Sequence, residues 1–190
     1  MISVGIFAKP PLPGKVKTRL IPDIGATRAA RVYRYCLEYT LAVVKQSGLD
    51  YQLFISEASD DPLFQHEDCS LQKGEDLGAR MFHAFQELLN RGSHGALIIG
   101  TDCLDITSLH LQEAARSLAD HELVLIPAFD GGYTLIGCTA IDPSLFDRLR
   151  WSTDQVYQQT MTNARRLNYR TRSLEPIRDI DSLQDLEHYP

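Results

Sequence analysis

Three clusters of residues have the types and spacing to do chemistry, and they lie far apart in the chain. The first is the segment from Lys9 to Leu20, KPPLPGKVKTRL. Its prolines and glycine stiffen a loop and let backbone approach a ligand closely. Lys15, Lys17 and Arg19 then present three cations within five residues. Arginine grips a phosphate bidentately and lysine acts as a point charge, so the loop suits a di- or triphosphate. It is neither a Walker A loop nor the G-x-G-x-x-G dinucleotide fingerprint. The second cluster, GTDCLD from Gly100 to Asp105, follows an apolar run. Asp102 at a strand tip can hold Mg²⁺ or Mn²⁺ against phosphate oxygens, whereas Asp105 suits the support of the turn. The third is PAFDGGY, from Pro127 to Tyr133. There Asp130 can bind an acceptor hydroxyl, act as a base or support a metal, and Gly131 and Gly132 allow close approach of a substrate.

Two lesser clusters accompany them. In RDIDS, Asp179 and Asp181 face one way if the segment is extended, so either can be a second metal ligand opposite Asp102. QKGEDLG, from Gln72 to Gly78, is a turn before a helix that either contacts a base or ribose or only caps the helix. Trp151 with Ser152 and Thr153 reads as a capped helix start, the indole lying in the core or along an acceptor. None of the six histidines pairs at metal-ligand spacing.

The elements that must position these clusters follow from hydrophobic periodicity. Ser3–Ala8, Tyr51–Ser56, Ala96–Gly100, Glu122–Ile126 and Tyr133–Gly137 read as strands, and Tyr169–Leu174 as a late one. Residues 27–47 have helical spacing and stop at Gly48. A polar loop spans Glu57–Gly74, and a helix with Leu77, Met81, Ala84, Phe85 and Leu88 on one face ends at Gly92. Thr107 is the expected N-cap of a third helix, with Ile106 and Leu111 as its hydrophobic staple. Ser152–Gln155 has a capping-box pattern for a fourth, and a short helix follows Asp181. Alternating strands and helices imply a three-layer α/β/α sandwich with a mostly parallel sheet. The strands flanking Phe129–Gly132 are too close for a crossover helix, so the sheet should be mixed. Ligands of open α/β sheets bind at the carboxyl ends of the strands, which puts the three clusters around one crevice.

The chain has 190 residues, fitting one domain over 1–190. A net charge of −6 argues against a general nucleic-acid binder. Residues 1–50 nevertheless hold eight Lys/Arg against three Asp/Glu, while the rest hold eleven against twenty-two. That asymmetry suits an anionic small molecule beside a divalent cation. No apolar run approaches the roughly 18 residues of a membrane span, and no secretory signal opens the chain, so the expectation is a cytoplasmic protein. Cys36, Cys69, Cys103 and Cys138 are scattered, which excludes a C-x-x-C zinc or redox pair.

Taken in order, these motifs resemble a known group. F-x-K-x-P-x-x-G-x-x-K-T-R-L (Phe7–Leu20), the Gln72–Arg80 turn, G-T-D, P-A-x-D-G-G-Y, W-S-T (Trp151–Thr153) and D-I-D-S (Asp179–Ser182) are similar to small bacterial glycosyltransferase-like proteins. That family is related to phospholactate guanylyltransferase and, more distantly, to molybdenum cofactor guanylyltransferase. The resemblance implies the nucleotide-diphospho-sugar transferase (GT-A) fold, nucleotide phosphates on the first loop, and Mg²⁺ or Mn²⁺ on Asp102 and Asp181. This first loop is proline-rich rather than glycine-rich, and Leu104 stands where the molybdenum-cofactor enzymes have proline. The expected activity is therefore transfer of a sugar from a nucleoside diphosphate sugar to a small-molecule acceptor. The alternatives are nucleotidyl transfer from a nucleoside triphosphate and a nucleotide-binding module without catalysis. The expected nucleotide contacts are Lys9, Gly14, Lys15, Lys17, Arg19, Gln72, Gly74 and Asp76. Gly131, Gly132, Tyr133 and Trp151 would meet the acceptor, with Asp102 and Asp130 as the catalytic carboxylates.

Overall fold

The computed structural model describes residues 1–189. Two apolar strands at its centre show why the sheet is covered on both faces. In β1 (Ile2–Ala8) and β4 (Gly95–Ile99) nearly every residue is buried, the pattern of parallel strands inside an α/β sandwich. Side chains alternate between two layers. Val4, Ile6, Leu97 and Ile99 pack with Leu37, Leu41 and Val44 of α2 (Ala26–Ser47) and with Leu111 of α4 (Ser108–Ser117). Phe54, Ala96, Ile98 and Ile136 turn the other way. They meet Met81, Phe85 and Leu88 of α3 (Leu77–Asn90) and Ala164 of α5 (Val156–Arg166). Each Leu or Phe so buried contributes about 1.5–3 kcal/mol of transfer free energy.

The remaining strands are β2 (Asp50–Ile55), β3 (Cys69–Leu71), β5 (Leu123–Pro127), β6 (Tyr133–Cys138) and β7 (Thr171–Ser173). Two one-turn helices, α1 (Ile21–Ile24) and α6 (Leu183–Leu186), complete the chain. All seven strands form one sheet in the order β3-β2-β1-β4-β6-β5-β7. β6 runs antiparallel to both β4 and β5, and the other pairs are parallel. The mixed, mostly parallel sandwich is the one inferred from the spacing. Because β6 is reversed, its amino end lies beside the carboxyl ends of β4 and β5. β7 lies parallel to β5 and delivers the following segment to the same edge.

Local signals held unevenly. Gly48 ends α2 with φ +73, and Thr107 caps α4 in a capping box with His110. Ser152–Gln155 makes no capping box. α5 starts at Val156 without a side-chain cap, and Ser152 instead takes φ +60 in a turn where Thr153 Oγ1 donates to the Arg150 carbonyl. β3 falls inside the stretch expected to be a polar loop. It is a three-residue edge strand with no fully buried residue, so it leaves no periodic trace.

Candidate active site

The loop after β1 is shaped before it reaches any ligand. Pro10 and Pro11 are buried, and the Lys9 N–H donates to the Tyr33 hydroxyl at 2.7 Å. That hydroxyl also bonds Thr101 Oγ1 at 2.9 Å, which ties the loop to the tip of β4. Burial pushes the Tyr33 phenol up to about 12. Lys17 then adopts φ +46, and a single 3-10 turn over Thr18–Leu20 presents Arg19 outward.

A cleft on the carboxyl edge of the sheet opens into two lobes of about 540 and 360 Å³. The first is walled by the β1 loop, Gln72, Arg80 and Thr101. The second is walled by Asp130, Gly132, Trp151, Thr153, Asp154 and Asp179. Arg19, Leu77, Asp102, Ser152 and Asp181 line both. Residues from both ends of the sequence therefore share one cleft, as the strand-end argument requires. A larger cavity of about 660 Å³ lies at the opposite edge, against the starts of β1 and β2. Within it Arg91 pairs with Asp68, and His94 bonds the Met1 amine.

Five aspartates line the second lobe: Asp102, Asp130, Asp154, Asp179 and Asp181. Oxygens of Asp130, Asp179 and Asp181 lie within 4.8 Å of one another. Desolvation, aided by the charges of Asp130, Asp102 and Asp181, pushes the Asp179 carboxyl up to about 6. An all-oxygen set of this kind fits a hard divalent cation such as Mg²⁺ or Mn²⁺. The gathered trio differs from the pair expected from sequence: Asp181 belongs to it, and Asp102 stands outside it on the wall common to both lobes. Both Asp179 and Asp181 take part rather than one of them.

The turn that carries Asp130 admits only glycine at its next position. Gly131 has φ +89, and a Cβ there would lie 2.2 Å from the Asp154 carbonyl oxygen. Asp130 Oδ1 accepts the Gly132 N–H at 2.8 Å, so one oxygen is fixed and the other is free. The segment after β7 is laid across the strand ends. Leu174 N–H donates to Leu125 O, Ile177 N–H to Pro127 O, and Ile180 N–H to Asp102 O at 2.7 Å.

Several residues expected in the site do other things. Lys15 lines neither lobe and pairs with Glu57 at 3.0 Å. Gly14 shapes an exposed turn at φ +84. Gly74, at φ +134, packs against Ala79, and its carbonyl accepts from Arg80 Nε at 3.1 Å. Asp76 is the N-cap of α3, accepting the Ala79 N–H at 2.7 Å. Lys9 and Gln72 do line the first lobe, the Gln72 amide nitrogen donating to the Phe54 carbonyl at 2.8 Å. Tyr133 lines the second lobe, and its hydroxyl is buried. Trp151 lines that lobe while its ring centroid lies 6.4 Å from that of Phe146. Asp105 supports the turn, accepting from Arg178 N–H and the Tyr189 hydroxyl. Sequence reasoning passed over Arg80, which ends the Gln72 motif, and Asp154, which follows W-S-T. Each adjoins a motif already in view.

The seven-stranded mixed sheet and the cleft on its carboxyl edge define the nucleotide-diphospho-sugar transferase fold. A protein from Desulfovibrio desulfuricans G20, provisionally named a nucleotide-diphospho-sugar transferase, matches with TM-score 0.91 and 32% identity, over 97% of this chain and 84% of its own. The 4-diphosphocytidyl-2C-methyl-D-erythritol synthase of Anaerococcus prevotii DSM 20548 matches with TM-score 0.61 and 12% identity, over 99% and 95% of the two chains. A CMP:2-keto-3-deoxy-manno-octonic acid synthetase complexed with CTP gives 0.56 and 10%, over 98% and 95%. At those identities the last two show the fold alone. Residues 40–153 match the family model described as an uncharacterized protein conserved in bacteria, DUF2064, and the chain belongs to that family. No curated protein matches the chain. No helix among the described residues is long and apolar enough to cross a membrane.

Proposed function

We propose that this protein is a divalent-cation-dependent transferase that moves a sugar from a nucleoside diphosphate sugar to a small acceptor. One observation carries the reading: Arg19 pairs with Asp181, one of three gathered carboxylates, in a cleft that continues into a second lobe. The likeness to the 32% identical Desulfovibrio protein supports a sugar nucleotide as donor.

The nucleotide occupies the first lobe, where Gln72, Lys9 and Arg80 line the wall, and its diphosphate reaches Arg19 at the junction. Asp130, Asp179 and Asp181 would hold Mg²⁺ or Mn²⁺. The cation, when bound, neutralises charge that develops on the departing diphosphate. The acceptor fills the second lobe against Gly132, Trp151, Thr153 and Asp154. Asp102 borders both lobes, where donor and acceptor meet, and we assign it to orient the acceptor hydroxyl and take its proton. Transfer of this kind asks for placement and charge more than covalent participation by the protein.

Nucleotidyl transfer is the second reading. It is favoured by the fold shared with the 4-diphosphocytidyl-2C-methyl-D-erythritol synthase and with the synthetase complexed with CTP. The leaving group separates the two. Incubation with Mg²⁺ or Mn²⁺, a panel of sugar nucleotides and triphosphates, and mixed small acceptors should release a nucleoside diphosphate. Pyrophosphate would establish the second reading. Absence of both products, with no nucleotide shifting the melting temperature, would refute both. A true ligand at a hundredfold excess over Kd stabilises by about 2.7 kcal/mol.

A further inference from the structure

Two cations of the first loop that line the cleft, Lys17 and Arg19, meet the same C-terminal segment, and their burial differs sharply. The Lys17 side chain is 5% exposed, with Nζ donating to the Ile180 carbonyl and 3.9 Å from Asp181 Oδ1. The Arg19 side chain is 63% exposed, with Nη1 2.8 Å from Asp181 Oδ2. Ile180 lies between Asp179 and Asp181, so Lys17 holds the peptide that carries both carboxylates. Outside Lys17 and Arg19, that stretch is anchored to the β4 side of the cleft by Ile180 N–H to Asp102 O, and its Asp181 and Ser182 N–H groups donate to Asp185 Oδ2. A buried ammonium with a backbone partner is poorly placed to turn toward a phosphate, because leaving would strand the carbonyl it serves. An exposed arginine–carboxylate pair is exchanged at little cost.

We propose that Lys17 is a positioning residue that sets the Asp179–Asp181 segment for a divalent cation, whereas Arg19 is a removable counter-ion. Arg19 gives up Asp181 when it takes the donor's phosphate. The proposal rests on the cation-and-polyphosphate reading above, and it divides a task that the sequence presents as three like charges. Cation and nucleotide then bind cooperatively, since each takes one partner of the Arg19–Asp181 pair.

The two roles predict opposite signs in a single measurement, Mn²⁺ titration followed by electron paramagnetic resonance without nucleotide. Lys17→Met should weaken Mn²⁺ binding about fivefold or more, and Arg19→Gln should tighten it about two- to fivefold, the scale of one exposed ion pair. Amide exchange needs no metal: Lys17→Met should speed it at Ile180–Ser182, and Arg19→Gln should leave it near wild type. Lys17→Gln keeps a neutral donor for the carbonyl, should retain most of that protection, and serves if the methionine variant does not fold. Wild-type Mn²⁺ affinity and exchange in the Lys17 variants, with weakened nucleotide binding, would overturn the proposal and make Lys17 a plain phosphate ligand. Unchanged Mn²⁺ affinity in Arg19→Gln would overturn the counter-ion. If the wild-type protein binds no Mn²⁺ at millimolar concentration, the cation reading itself fails, and exchange at Ile180–Ser182 still decides the part of Lys17.

Discussion

Asp179→Asn should make the cation-free protein more stable at neutral pH, which is the reverse of what most substitutions in a site do. The Asp179 carboxyl is half-buried and faces Asp130, Asp102 and Asp181, so its ionisation is opposed first by desolvation and then by like charge. Its folded pKa is about 6, against 3.8 for the ordinary carboxyl. Below the unfolded value both states hold the proton and the group is neutral in the stability balance. Between that value and about 6 the unfolded chain ionises and the folded one does not, so stability falls as pH rises. Above it the whole penalty is present. A shift of this size converts to roughly 3 kcal/mol at most, and solvent at the cleft mouth reduces that to about 1–2 kcal/mol. Urea melts in EDTA from pH 4 to 7.5 would measure it. The two proteins should coincide near pH 4, and the asparagine variant should lead by about 1–2 kcal/mol at pH 7.5. Saturating Mn²⁺ should then reverse the order, because the wild-type carboxylate regains a partner. Parallel curves in EDTA would refute the account of Asp179 as a strained carboxylate.

Other substitutions separate the assigned roles. Asp102→Asn should lower kcat by about 10²-fold or more while leaving Mn²⁺ binding and the melting temperature near wild type; loss of Mn²⁺ binding would make Asp102 a co-ligand of Asp181. Gly131→Ala should cost at least about 2 kcal/mol in urea melts, since its Cβ would lie 2.2 Å from the Asp154 oxygen at a positive φ. Tyr33→Phe removes the hydroxyl shared by the Lys9 N–H and Thr101, and should cost about 1–3 kcal/mol, with faster amide exchange at Lys9. Lys15→Ala should leave nucleotide affinity within about twofold, because that amine serves Glu57, whereas Arg80→Ala should weaken it about tenfold, read by isothermal titration calorimetry.

The layers of the fold were legible because burial on two faces writes itself into sequence. β1 and β4 are continuous apolar runs, α2 and α3 carry their core contacts at helical spacing, and Gly48 stops a helix where its left-handed conformation is needed. β6 could be assigned as antiparallel from chain length alone, since the five residues that separate it from β5 cannot cross a sheet. β3 was illegible for the converse reason. It gains its place from backbone pairing to β2 and buries no side chain fully, so composition says nothing about it. The Ser152 turn misled because a serine followed three residues later by glutamine signals a cap only when the serine backbone is extended. Here φ is +60.

The site was legible as a set of charges and not as a division of labour. Which strand ends carry carboxylates follows from topology, so Asp102, Asp130 and the Asp179–Asp181 pair were all in view. What each charge faces depends on neighbours far along the chain: Lys15 meets Glu57, while Lys17 meets a carbonyl 163 residues away. Three cations within one loop look equivalent because local spacing records only their density. Tertiary structure then assigns one to a neighbouring loop, one to the peptide between two carboxylates and one to the open cleft. Of the two that meet the carboxylate segment, Arg19 is the exposed one and the cation whose partner a ligand can replace, and for that reason the coupling of metal and nucleotide should reside in it rather than in the loop as a whole.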